Sequence, residues 1–174
     1  MRKSKWYLFL PLGLALLLAS SATGCAPHGL RLFQSDDEAN THFTNAMEYK
    51  NQFTKWMNNL SNKADPIADE WKSSLAILEQ AIYEAKEVSP DFMGRAHPDL
   101  PDMWQGFFIP SMEKMHSYYS SAIKDPSSVK LPSTNEGMQQ LKLLQEAHML
   151  DNIFGDWFDQ NMDAIRSGIR KMAR

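Results

Sequence analysis

Cysteine is nearly missing from this chain, with Cys25 alone among 174 residues. A lone thiol has no partner for an internal disulfide and excludes a Cys-x-x-Cys-His haem attachment, so stability must come from packing. Glycine is also scarce, at 8 residues, and no glycine-rich phosphate loop, Gly-x-Ser-x-Gly elbow or His-Glu-x-x-His pair occurs. No segment sustains the period-two alternation of a half-buried strand. Long apolar runs are missing too: the longest, Trp6 to Ala19, covers 14 residues. As a helix it would reach about 21 Å, against a bilayer core of about 30 Å. These absences point away from an enzyme, a sheet protein and a comfortable membrane span.

What is present begins with an address. Arg2, Lys3 and Lys5 precede the apolar run, and small residues lead up to Cys25. That order is an export signal. The segment Ala22-Thr23-Gly24-Cys25 resembles the lipobox of bacterial lipoproteins, over the first 25 residues only. The resemblance implies cleavage by the lipoprotein signal peptidase, a diacylglyceryl group on the Cys25 thiol and, as a rule, a further acyl chain such as palmitate on its new α-amine. It also implies an outer-membrane address facing the periplasm if the host has two membranes, because Ala26 stands where a retention signal would place aspartate. Residues 1–25 also fit an ordinary secretory signal that happens to contain a cysteine. Two or more acyl chains anchor stably where one is marginal. The organisation expected is a leader at 1–24, a lipidated cysteine and tether at 25–34, and a helical domain at 35–174. Leu30, Leu32 and Phe33 of the tether could lie on lipid or on the domain.

Removing the three cations of the leader leaves 15 Lys and Arg against 21 Asp and Glu, a balance of −6. An acidic domain is repelled by nucleic acid and by anionic headgroups, so neither is expected as a ligand. Of the 11 methionines all but Met1 fall in the mature part, where they suit irregular cores and adaptable binding surfaces.

Helix signals recur through the mature part. Ser35-Asp36-Asp37-Glu38 is a capping box. Apolar residues then follow at Ala39, Phe43, Ala46, Met47, Phe53, Met57 and Leu60. Asp65-Pro66 opens a second helix with the stripe Ile67, Trp71, Leu75, Leu78, Ile82 and Ala85, and Ser89-Pro90 stops it. Residues 89–99 hold two prolines and a glycine and read as a loop. A third helix begins near Pro101, and Pro110 predicts a kink in it. Ser133-Thr134-Asn135-Glu136 opens a fourth, whose face runs from Leu143 to Met172. The expected fold is all-α: a four-helix bundle, up-down-up-down, with the third helix kinked near Pro110.

Two constellations are candidate sites. Met112, Met115 and His116 fall within one helical turn, and with His148 they supply thioether and imidazole ligands suited to copper(I). Glu113 and His116 form half of a di-iron pattern, whose second half would need Glu where Gln145 stands. Trp104, Phe107 and Phe108 sit beside Gly106 and Pro110, where a kinked helix could open an aromatic groove for a partner helix or acyl chain. At the carboxyl end Arg166, Arg170, Lys171 and Arg174 complement the helix dipole and could reach headgroups near the anchor.

The expectation is a membrane-anchored envelope lipoprotein that binds another protein and carries neither enzymatic activity nor cofactor. A small-ligand or copper-binding bundle is the alternative, and an immunity or exclusion lipoprotein a third. The partners expected are the lipid bilayer, through acylated Cys25, and an envelope protein.

Overall fold

The computed structural model describes residues 34–61, 68–124 and 134–173. The leader, Cys25 and its tether as far as Phe33, the Asp65-Pro66 helix start and Arg174 lie outside the described residues. The described residues form only helical elements, with no strand: α1 (Asp36–Ser61), α2 (Ala68–Glu87), α3 (Pro90–Ala96), α4 (Leu100–Met103), a π-helical turn (Trp104–Phe108), α5 (Ile109–Lys124) and α6 (Asn135–Met172).

The helix starts follow local chemistry. At the head of α1, the Ser35 hydroxyl accepts from the Glu38 amide at 3.2 Å, and Asp36, Asp37 and Glu38 fill the first turn. There they meet the positive end of the dipole. The α6 cap falls one residue later than the capping box predicts, at Thr134, whose hydroxyl accepts from the Gly137 amide at 3.0 Å. The expected loop at 89–99 is largely helix. Ser89 caps α3 and Pro90 occupies its first turn, where a missing N–H costs nothing. Ser89-Pro90 therefore both ends one helix and begins the next.

The corner between α2 and α3 is held by side chains that replace missing backbone partners. The last four carbonyls of a helix have no intrahelical donor. The Gln34 side-chain amide donates to the Glu87 carbonyl at 2.8 Å, and its oxygen accepts from the Ser89 amide at 2.9 Å. The Trp104 indole donates to the Ala85 carbonyl at 2.9 Å. Arg95 of α3 reaches back to Asp36 at the start of α1, at 2.9 Å through one of its nitrogens. Its charge holds the Asp36 carboxyl below the usual carboxylate range, chiefly through that hydrogen bond.

The interruption expected at Pro110 takes the form of a π turn upstream of it. In an α-helix the proline ring collides with the carbonyl four residues back, which is that of Gly106. Here the Ile109 amide instead reaches the Trp104 carbonyl, five residues back. The helical run continues from Leu100 to Lys124. The Ser111 hydroxyl, fully buried, donates to the Phe108 carbonyl at 2.8 Å.

α1 packs on α2, α2 on α5, α5 on α6, and α3 on α6. Alanines 39, 46, 81 and 85 are buried between the long helices, with Phe43, Phe53, Leu78 and Met112 filling the space around them. An aromatic column forms the centre. Trp104 stacks on Phe108 at 4.1 Å and on Phe43 at 5.0 Å, Phe108 meets Phe154 at 4.7 Å, and Phe154 stacks on Phe158 at 5.5 Å. Each such ring pair adds about 0.5–1.5 kcal/mol beyond area burial. Against α3, α6 passes so close that a Cβ on Gly168 would lie 2.8 Å from both the Cα and the carbonyl carbon of Ala96.

Candidate functional site

α1 and α6 are missing from the closely packed helix pairs. The seam between them is bridged by side chains instead. Lys50 of α1 meets Asp151 of α6 at 2.9 Å, and the Phe43 and Phe158 rings approach to 6.4 Å. Beside these bridges the seam is a groove of about 580 Å³, within the range of ligand-sized clefts. Its floor is apolar: Phe43 and Met47 from α1, and Phe158, Met162, Ile165 and Ile169 from α6. The rim is polar, with Asn40, Thr44 and Asn51 on the α1 side and Asp159, Arg166 and Arg170 on the α6 side.

The groove follows from the apolar pattern of α6. Phe154, Phe158, Ile165 and Ile169 recur at four and seven residues and keep one face apolar almost to the helix end. α5, with its 16 residues, and the short α3 together leave part of that face uncovered. Met47 and Met162 are partly exposed in the groove. Flexible thioethers let such a surface adjust to what lies on it.

The sites expected from sequence are placed elsewhere. Trp104 and Phe108 are wholly buried in the aromatic column, and Phe107 is partly buried against it. Trp104 is committed twice over, by stacking and by its bond to the Ala85 carbonyl. An aromatic groove open at Trp104 is therefore not present, because these rings close the core and the end of α2. Met112 and Met115 are likewise core residues, while His148 is exposed and His116 faces a shallow cleft between α2 and α5. The expected copper ligands are thus divided between interior and surface. His116 Nε2 is 2.8 Å from the Glu79 carboxylate, and Glu113 pairs with Lys86 at 2.6 Å. Among the described residues no group of three or more His, Cys, Asp or Glu side chains is arranged to hold a metal ion.

The carboxylates are otherwise occupied. Glu84 is buried but satisfied, by His42 Nδ1 at 2.6 Å and by the Gln80 amide at 3.2 Å. Glu48 accepts from Gln52 at 3.2 Å. Lys114 binds Glu146 at 2.7 Å, and that bond holds the Glu146 carboxyl below its ordinary range. By contrast Asp159, Arg166 and Arg170 on the groove rim make no ion pair among the described residues. Among the described residues no helix is long and apolar enough to cross a membrane. Comparison with protein-family models, with curated proteins and with solved structures finds no match.

Proposed function

We propose that this chain is a lipid-anchored, non-enzymatic binding protein of the bacterial envelope, built as an up-down-up-down bundle of α1, α2, α5 and α6, which docks a partner along the α1–α6 groove. The occupant is an amphipathic helix of another envelope protein. Its apolar face meets the partly exposed Met47, Phe158, Met162 and Ile169, and acidic residues on its flank meet Arg166 and Arg170. The observation that carries this reading is an apolar trough with two unpaired guanidinium groups on its rim, along the one seam between neighbouring long helices that, among the described residues, is missing from the closely packed pairs α1–α2, α2–α5 and α5–α6. Helices laid into apolar grooves are a recurrent mode of recognition, and charged rims set partner choice more than affinity. The anchor rests on the lipobox resemblance at Ala22-Thr23-Gly24-Cys25.

The test combines anchor and groove in the producing cell. Mass analysis of the membrane-associated protein is expected to find an amino-terminal Cys25 bearing a diacylglyceryl group. Co-purification is expected to recover one partner with the native chain and to lose it with Met162→Glu, which sets a charge in the trough. Recovery of the same partner in the same yield with Met162→Glu would remove the groove from the account. An unmodified Cys25 would remove the anchor.

A further inference from the structure

The rim of the groove has a direction. Along α6 it runs from Asp159 to Arg166 and Arg170, a distance of about 16 Å at the helical rise. Arg166 and Arg170 are one turn apart and exposed. α6 ends at Met172, so the negative end of its dipole lies beside them. That end carries about half a negative charge, and two guanidinium groups outweigh it. The α6 rim is therefore cationic at one end and carries a free carboxylate at the other.

We infer that the groove orients the helix it takes: the carboxyl-terminal turn of the bound helix, bearing Asp or Glu, lies on Arg166 and Arg170, and its amino-terminal turn lies on Asp159. This rests on the docking role proposed above. The bound helix then runs in the same direction as α6. Its positive dipole end faces the Asp159 carboxylate and its negative end faces the arginines. The reverse orientation sets like against like at both ends. Three turns fill the available length, with apolar anchors at i, i+3, i+7 and i+10.

Isolated helices are stabilised by acids in their first turn and not their last. A groove that selects acids in the last turn works against that intrinsic preference, so the two effects separate in one experiment. The full-length chain is held in nanodiscs of zwitterionic lipid. Two fluorescent 16-residue amphipathic peptides with identical apolar positions are titrated by anisotropy at low salt. One carries two glutamates in its last turn, the other two in its first.

The expected result is binding about three- to tenfold tighter for the peptide with carboxyl-terminal glutamates, the size two exposed ion pairs supply. That preference should vanish near 1 M salt, where the screening length is about 3 Å. The double variant Arg166→Glu, Arg170→Glu should reverse it, and Met162→Glu should weaken both peptides. Equal binding of the two peptides, or tighter binding of the one with amino-terminal glutamates, with both still sensitive to Met162→Glu, overturns the direction while leaving the docking groove standing. Binding of neither above the level of Met162→Glu overturns the groove itself and the direction with it.

Discussion

Replacing Gly168 with alanine sets two effects of opposite sign against each other in one residue. In an open helix interior the change is favourable by about 1 kcal/mol, because alanine restricts the unfolded chain and glycine does not. At Gly168 the new methyl would stand 2.8 Å from the Ala96 Cα and carbonyl carbon. These are backbone atoms of α3, so no side chain can rotate out of the way. Forcing extra volume into a packed contact costs about 1–3 kcal/mol, and rigid neighbours place this case toward the upper end. The expected net is a destabilisation of about 1–2 kcal/mol, or roughly 2–8 °C in Tm for a domain of this size. Gly155→Ala is the internal control. It lies in the same helix, and its Cβ would meet nothing within 4 Å, so the propensity gain should appear alone as a rise of roughly 2–4 °C. Thermal unfolding followed by circular dichroism reads both. A Gly168→Ala protein as stable as the native chain, or more so, would refute the close passage of α6 over α3.

Two further outcomes follow from the core. Trp104→Phe removes the donor to the Ala85 carbonyl and leaves a small void, and should cost about 2–4 kcal/mol in urea unfolding; a loss under about 0.5 kcal/mol would contradict the buried indole bond. Burial pushes the Tyr119 hydroxyl up to about 12 from 10.0, with Tyr118 adding to it. A raised folded value means stability is full below pH 10 and falls as the pH climbs toward 12, because the unfolded chain releases its proton first. Tyr119→Phe should flatten the unfolding curve across that window, and an unchanged alkaline limb would show that the phenol is not held neutral.

Local signals in the sequence carried much of the architecture. Ser35 announces α1, and the apolar spacing of α2 and α6 gives their buried faces, because caps and periodicity act over a few residues. α3 was obscured because Pro90 and Gly94 read as loop residues, although Ser89-Pro90 also satisfies the rule for a helix start. The aromatic cluster failed for a different reason. Three rings beside a glycine and a proline look like an exposed groove until the neighbours are known. Trp104 is buried because the carbonyl of Ala85, 19 residues away, needs its N–H. The α1–α6 groove was the least legible feature. Its floor residues Phe43, Met47, Phe158, Ile165 and Ile169 all stand on recognisable apolar faces, but that the two faces fail to close on each other is a property of the packed bundle.

The most direct measurement of the central claim is photo-crosslinking from single positions in the full-length chain in its own cell. A benzophenone amino acid at Met47 or Met162 should yield one and the same protein adduct, cross-linked through residues of a single amphipathic helix, and the same group at Tyr83, exposed on α2, should not. An adduct formed from Tyr83 and from neither methionine would contradict the claim that this protein works through the trough between its first and last helices.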